Sequence, residues 1–430
     1  MASRLIRSCS PVGTFTRLLH PVCGAAETVL FLFTFTLAWA APARCQMLLK
    51  ASEPGEAVTP MPSDLAIFES SEPRKDLPCL VSARKPELGF DLRFHGGYDV
   101  TLPLKEVAGD GEMLTVVFRI YSKKDQNNPA YFVQHFHVPA VEEDARGDAL
   151  LQGVVNMGEG NYHVDWLMRD RAERLCSSSW DVDASLAAKD QPINLFLPPN
   201  HVSEFQPELF VNDSAAQPAQ RSEEALTVKV LVNFAPQNSS SAALERSDTE
   251  ALVSILKSIQ RDPRVARISL VAFNISEARV VYRQDLSEQI DFPALGRALQ
   301  SMKLGTVTLQ NLSQKHSDTD FLEGLIEHEV SSNSHPDAVI FAGPKAMLNA
   351  DVPQEDLRRI ANVECPVFYM NYNLNPQAVP WKDSISHAIK PFRGTEYTIS
   401  RPRDLWTAWS DIMTHIVKLK LVSSAPASSQ

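Results

Sequence analysis

The hydrophobic positions of this chain follow two different patterns. Between residues 79 and 198, short segments alternate apolar and polar residues and are separated by turn residues such as Gly109-Asp110-Gly111. From residue 226 onward, short aliphatic runs alternate with longer segments whose apolar residues recur every three or four positions. The first pattern predicts antiparallel strands, and the second predicts strands joined by helices in a parallel sheet.

The second pattern begins with a strand, a helix and another strand. Val228–Phe234 and Arg267–Phe273 are β-branched and aliphatic runs typical of buried strands. The segment between them has a capping-box spacing at Ser247 and Glu250, followed by one apolar face, and Pro263 is expected to end the helix. This order predicts a right-handed crossover between two parallel strands.

The next strand, Arg279–Tyr282, follows too closely for another crossover, so we expect it to run antiparallel at the edge of the sheet. Helices are then expected to begin at Asp291, at Asp318, near Gln354 and after Pro402. The remaining predicted strands are Thr306–Leu309, Ala338–Ala342 and Pro366–Met370. The second half is therefore predicted to be an α/β doubly wound, mostly parallel sheet.

The first pattern predicts an all-β, immunoglobulin-like sandwich. Its expected strands are Gly89–Phe94, Tyr98–Leu104, Leu114–Tyr121, Tyr131–Val138, Ala149–Asn156, Asn161–Arg169 and Ser179–Leu186. Gly96-Gly97 and Asn127-Asn128-Pro129 are interpreted as turns between them. Tyr162 resembles the tyrosine corner of immunoglobulin-like sandwiches, although Val164 stands where an antibody domain has a cysteine.

The first residues have the features of a signal peptide. Arg4, Arg7 and Arg17 precede an apolar run, Val29–Trp39, and small residues follow around Ala40. The run is shorter than the ~20 residues that span a bilayer, so no membrane span is expected after cleavage. We expect export to the periplasm or the extracellular space.

Composition sets the other boundaries. We predict a signal peptide at 1–43, a disordered linker at 44–78, the sandwich at 79–198, a second linker at 199–225, the α/β domain at 226–420 and a disordered tail at 421–430. The formal net charge of -11 argues against nucleic acid as a partner. Cys79 and Cys176 adjoin predicted strands, so either a disulfide or two buried thiols fits the sequence.

Residues 226 to 416 resemble a von Willebrand factor A domain in the order of their elements, and the whole chain is similar to bacterial exported proteins related to that family. The resemblance implies a Mg²⁺ or Mn²⁺ site formed by a D-x-S-x-S loop, a Thr and an Asp. Here the loop begins at Asn233 and contains no Asp, Thr319 is the candidate for the Thr, and Gly343-Pro344 stands where the Asp is expected. Divalent ions prefer charged oxygen ligands, so we expect neither a metal nor another cofactor at this site.

The remaining candidate site is the crevice at the carboxyl ends of the parallel strands, where open α/β sheets bind ligands. Uncharged polar residues are expected to line it: Asn233, Gln237, Ser239, Asn274, Thr319, Asn371 and Asn373. Such residues suit a neutral polar ligand or a protein loop. The alternative is that they only end strands and form turns.

Histidines provide a second, weaker candidate. His135 and His137 lie two apart on one predicted strand and His163 lies on another, so they form a metal site only if those strands are neighbours. Solvated histidines on a sandwich face are the alternative. Glu327-His328-Glu329 is not a zincin motif, because Ser332 occupies the place of the second histidine.

These patterns favour an exported, non-enzymatic protein-binding or adhesion-type module, whose α/β domain lacks a functional metal site and whose protein partner is unknown. The alternatives are an extracytoplasmic metal-dependent hydrolase that uses His135 and His137 or the crevice of the sheet, and a purely structural component of the envelope.

Overall fold

A computed structural model describes residues 46–49, 60–70, 72–206, 208–212, 225–236, 244–300, 317–330, 335–348, 350–360, 365–374 and 382–424. The chain forms two compact units. The first contains residues up to Glu87, Phe94–Leu186 and Leu197–Phe205, and the second contains Leu88–Arg93, Ala187–Phe196 and the chain from Gln206 onward. The predicted signal peptide at 1–43 lies outside the described residues.

The first unit consists of two β-sheets. A five-stranded sheet has the order β1-β5-β4-β7-β8, and a four-stranded sheet has the order β2-β3-β6-β9. The strands are β1 Gln46–Leu49, β2 Leu80–Leu88, β3 Phe94–Pro103, β4 Glu112–Ser122, β5 Asp125–Val138, β6 Asp148–Met157, β7 Gly160–Arg169, β8 Leu175–Ala184 and β9 Val202–Glu204. Neighbours from β5 to β8 in the larger sheet pair antiparallel, as the alternating pattern predicts.

The buried rings of Tyr98, Phe118, Phe132 and Trp166 occupy the core of the first unit, at centroid separations of 5.1 to 5.7 Å. The predicted tyrosine corner is present, because the Tyr162 hydroxyl donates to the carbonyl of Gly158 at 2.9 Å. Cys79 and Cys176 form a disulfide with their Cα atoms 6.3 Å apart.

Several predicted strand limits were wrong. Gly96-Gly97 lies inside β3, because Gly97 packs so closely on β6 that a Cβ would lie 2.0 Å from the carbonyl of Gly153. These glycines therefore permit close approach and do not form a turn. Asn127-Asn128-Pro129 lies inside β5, beyond the residues that pair with β1. Pro is tolerated at such an unpaired edge. Strand β2 was missed, and residues 89–92 form a turn where a strand was expected.

The prediction of a disordered linker at 44–78 was also wrong for part of that segment. It contains β1, which pairs with β5, and helix α1, Pro62–Glu69. Phe68 of α1 packs on the buried residues Val117 and Leu167, and Asp64 forms a buried ion pair with Arg169 at 3.0 Å. The sandwich also extends beyond residue 198, since β9 pairs with β6.

The second unit is a six-stranded sheet in the order β12-β11-β10-β13-β14-β15. Its strands are β10 Leu226–Asn233, β11 Val265–Asn274, β12 Arg279–Ser287, β13 Ala338–Pro344, β14 Val367–Tyr372 and β15 Thr395–Ile399. All neighbours pair parallel except β12, which is antiparallel at the edge as predicted. The coarse prediction of an all-β part followed by an α/β part is therefore confirmed.

Helices cover both faces of this sheet. They are α2 Arg246–Arg261, α3 Phe292–Gln300, α4 Ser317–Val330, α5 Gln354–Ile360, α6 Ser384–Ile389 and α7 Pro402–Ser424. Even-numbered residues of β10 pack with α2, α3 and α7, and Leu231 packs on the opposite face with α4, α5 and α6. The two faces follow from the alternation of side chains along a strand.

Three further predictions differ from the structure or fall outside it. Helix α2 begins at Arg246 after the N-cap residue Glu245, so Ser247 is not its cap. Helix α7 continues through the start of the predicted tail to Ser424, and residues 425–430 lie outside the described residues. The predicted strand Thr306–Leu309 also lies outside them. None of the described helices is long and apolar enough to span a membrane.

Candidate functional site

The candidate site lies at the carboxyl edge of the second unit's sheet, which we define as the ends of β10, β11, β13 and β14. Strand order reverses between β10 and β13, since the chain proceeds to β11 on one side and to β13 on the other. Open α/β sheets bind ligands at such a reversal. Asn233 and Asn274 are the last residues of β10 and β11, Asn371 is the last but one of β14, and all three are fully buried.

Two of these asparagines flank a glycine in one row across the sheet. Val232 pairs with Ala342 and Gly343 pairs with Asn371, so Asn233, Gly343 and Asn371 are in register. They point to the same face, and a Cβ on Gly343 would lie 2.7 Å from the Cβ of Asn233. Two strand spacings separate the asparagine backbones by ~10 Å. We call these three residues the asparagine row; its centre carries no side chain.

In each asparagine of the row, one of the two polar atoms of the side-chain amide forms a hydrogen bond. The Asn233 Oδ1 accepts from the backbone N–H of Ile275 at 3.1 Å, and the Asn371 Nδ2 donates to Glu396 Oε1 at 2.9 Å. These bonds fix which end of each amide is nitrogen and which is oxygen. The other ends, Asn233 Nδ2 and Asn371 Oδ1, have no hydrogen-bond partner among the described residues. Buried polar atoms without partners are uncommon, because each is destabilising.

The other predicted residues have structural roles. Asn274 donates to the carbonyl of Phe234 and accepts from the backbone of Glu277, so it ends β11 and forms the following turn. Thr319 lies in the first turn of α4, where its hydroxyl donates to the carbonyl of Ala350 at 3.0 Å. The Asn373 backbone donates to Ile399. Gln237 and Ser239 lie outside the described residues.

Two carboxylates at this edge were not among the predicted lining residues. Asp248, in the first turn of α2, and Asp383, the N-cap of α6, are both buried. Sequence analysis missed them because they come from helix starts and not from strand ends. They lie on opposite faces of the sheet, since α2 and α6 belong to different faces.

Each of these aspartates interacts with a buried tyrosine of β14. Burial raises the pKa of Tyr372, and the charge of Asp248 raises it further. Burial also raises the pKa of Asp383 to about 6, against the lowering effects of the Tyr369 hydroxyl and of the backbone amides of Ala346 and Ile385. The Asp383 Oδ1 accepts from both amides, at 3.2 and 3.0 Å.

The structure does not bring the three candidate histidines together. His135 pairs with Thr115 of β4, whereas His163 pairs with Tyr121, six residues further along the same strand. Six residues of strand separate the two positions by ~20 Å. His163 instead contacts Asp181 and Asp165, at 2.7 and 3.3 Å. No group of three or more His, Cys, Asp or Glu side chains able to hold a metal forms among the described residues.

A buried charge cluster forms around Lys229, which lies on β10 four residues before Asn233. The Lys229 Nζ donates to the backbone carbonyl and to the carboxylate of Glu329, at 2.9 and 3.3 Å, and Arg283 also pairs with that carboxylate. Glu329 belongs to the Glu327-His328-Glu329 segment, and its side chain is 3% exposed. The cluster places this glutamate in a structural ion pair.

Comparisons with known proteins are limited to distant structural likeness. No protein-family model matches the sequence, and no curated protein matches it. The chain is similar to the conserved hypothetical protein BatB from Bacteroides thetaiotaomicron, with a TM-score of 0.32 and 9% identity over 45% of this chain and 100% of that one. It is also similar to an aerotolerance-related membrane protein from Bacteroides fragilis, with a TM-score of 0.30, 9% identity and the same coverage.

The PilB minor pilin from Streptococcus sanguinis aligns over 72% of this chain and 89% of its own, with 9% identity and a TM-score of 0.27. These TM-scores are too low to assign the chain to a family.

Proposed function

We propose that this chain is an exported, non-enzymatic protein-binding module, whose second unit is a von Willebrand factor A-like domain with a degenerate metal site. Its carboxyl edge binds an uncharged polar group of a protein partner. The strand order, with an antiparallel edge strand beside five parallel ones, supports the A-like interpretation.

The observation that carries the proposal is the asparagine row. An amide nitrogen and an amide oxygen, neither with a partner in the part of the chain that the structure describes, lie on either side of Gly343, at the reversal of strand order. A nitrogen donor cannot coordinate a cation, whereas a donor and an acceptor together complement a peptide group or a side-chain amide. A partner that supplies both bonds removes the destabilisation of two buried unpaired atoms.

A site-specific crosslinking experiment tests this proposal. A photo-crosslinking amino acid is placed at Met347, which is 63% exposed and lies three residues after the end of β13. Leu286 is the matched control position, because it is 47% exposed but lies near the C-terminal end of the antiparallel β12, at the opposite edge of the sheet.

We expect a discrete protein adduct from position 347 in the cell that exports the chain, and none from position 286. Asn371→Leu should remove the adduct, because it removes the open acceptor. Equal adducts from both positions, or an adduct that Asn371→Leu leaves unchanged, would contradict the proposal.

The alternative of a metal-dependent hydrolase has its own test. Metal analysis compares the purified chain with the His135→Ala, His137→Ala double variant. We expect no stoichiometric zinc that depends on these two histidines. A metal bound in a one-to-one ratio and released by that double variant would replace the proposal with the hydrolase.

A further inference from the structure

A cleft of about 280 Å³ lies within the second unit, away from the carboxyl edge. The C-terminal end of α2, the first turns of α7 and the segment Asn194–Phe196 form its walls. Apolar and aromatic side chains line it from Leu92, Leu195, Phe196, Leu405, Trp406 and Trp409, and polar ones from Asn194, Ser258, Arg261 and Asp262. Predominantly apolar clefts with a few polar groups are typical of small-ligand sites.

The aromatic wall is held in place by polar contacts. The Trp409 Nε1 donates to Asp262 Oδ2 at 3.0 Å, and Arg264 holds the same carboxylate through both of its oxygens. The Phe196 ring lies between two guanidinium groups, with Arg93 at 4.2 Å and Arg261 at 4.1 Å from its centroid. A wall fixed in this way does not have to be ordered when a ligand binds.

Trp406 differs from Trp409 in exposure. Trp409 is 8% exposed and belongs to the core of the unit, whereas Trp406 is only half-buried and leaves part of its indole facing the cleft. Asn194 is exposed at the rim, so its carboxamide is accessible to a ligand. The cleft therefore offers an open aromatic face beside an open amide.

The charged side chains of the cleft are held by contacts within the protein. Asp262 is neutralised by Arg264, and Arg261 stacks on Phe196. The volume suits one ring-sized group, since drug-sized ligands occupy larger pockets.

We propose that this cleft binds a single pyranose ring of a saccharide, independently of the protein-binding edge. A pyranose has apolar C–H faces that stack on an indole and a periphery of hydroxyl groups that both donate and accept hydrogen bonds. The rim supplies polar groups from two separate segments, around Asn194 and from Ser258 to Asp262, which several hydroxyl groups use together. An aromatic side chain from a protein partner would use one of them at most.

Saturation-transfer NMR on the purified chain tests the proposal with methyl glucopyranoside, methyl galactopyranoside, methyl mannopyranoside and N-acetylglucosamine as probes. We expect at least one of these sugars to bind saturably, with a dissociation constant on the order of 1 mM. Trp406→Leu should weaken that binding at least about tenfold by removing the stacking face. Asn194→Ala should weaken it about fivefold to twentyfold, and it alters no buried group.

Asn161→Ala is the matched control, because Asn161 is also an exposed asparagine but lies on β7 of the first unit. Its binding should equal that of the unchanged chain. The proposal is overturned if none of the four sugars binds, or if binding survives both Trp406→Leu and Asn194→Ala. Saturable binding of p-cresol, a tyrosine side-chain analogue, without binding of any sugar would assign the cleft to a protein side chain instead.

Discussion

Lys229 and Asn233 lie on the same strand, β10, and point to the same face of the sheet, yet their polar groups differ in pairing. Four residues of strand separate them by ~13 Å. The Lys229 ammonium donates to two oxygens of Glu329, whereas the Asn233 Nδ2 has no partner within the described ranges. The paired group contributes to stability, whereas the buried amide of Asn233 lacks a bond that, under our proposal, the partner supplies.

Two buried carboxylates, Glu329 and Asp383, likewise differ in whether a cation pairs with them. Burial alone would raise the pKa of Glu329, but hydrogen bonds from Arg283 and His328 and the charge of Lys229 lower it below its ordinary value. Burial raises the pKa of Asp383 to about 6, since no cation pairs with it among the described residues. A lowered pKa stabilises the fold above the ordinary pKa of the acid, and a raised pKa does the reverse.

The largest expected effect on stability comes from breaking the ion pair between Lys229 and Glu329. Lys229→Met leaves the Glu329 carboxylate buried with the loss of one cation, and we expect the free energy of unfolding to fall by about 3–5 kcal/mol. Urea unfolding followed by tryptophan fluorescence measures the change.

The double variant Lys229→Met, Glu329→Leu is the control for this prediction. It should recover most of the loss, because no unpaired carboxylate remains and Arg283 is partly exposed to solvent. A loss below about 1 kcal/mol in the single variant would show that Lys229 is not needed to hold Glu329.

The second prediction concerns Asp383, the buried carboxylate that pairs with no cation among the described residues. The pKa of Asp383 is about 6 in the folded chain against an ordinary value of 3.8, so the folded state binds the proton more tightly. Its contribution to stability is therefore most favourable below pH 3.8 and is lost as the pH rises through 6. Asp383→Asn should raise the free energy of unfolding at neutral pH by up to about 3 kcal/mol and should have little effect in acid.

Unfolding measurements across this pH range test the prediction. Asp383→Ala is the control, because it removes the cap of α6 and should cost about 1 kcal/mol in acid, where Asp383→Asn has little effect. A stability difference between wild type and Asp383→Asn that does not change with pH would contradict a raised pKa.

Local patterns were sufficient to predict much of this fold. The unit β10, α2 and β11 follows from hydrophobic periodicity, and the antiparallel direction of β12 follows from the length of one connection. The errors depend on distant contacts. Gly96-Gly97 lies within a strand because of β6, and α1 is ordered through an ion pair between residues 105 positions apart. Neither contact is visible in the neighbouring sequence.

The candidate site divides in the same way. Asn233 and Asn371 were predicted because both lie at or next to the C-terminal end of an aliphatic strand, which is a local feature. Which of their atoms lack partners depends on Ile275, Gly343 and Glu396, which only the register of the sheet brings to them. Asp383 was missed because its burial depends on packing and not on its neighbours in sequence.

The smallest expected effect on stability is that of a substitution at Asn371, and it tests most directly whether the asparagine row serves binding. Asn371→Leu loses the hydrogen bond to Glu396 but also removes a buried oxygen for which the described part of the chain offers no partner, so these two effects oppose each other. We expect the free energy of unfolding to change by less than about 1 kcal/mol, while the crosslink from position 347 disappears. Urea unfolding and crosslinking of the same variant measure both quantities. A loss as large as that of Lys229→Met would instead assign Asn371 to the stability of the sheet and leave the carboxyl edge without its binding group.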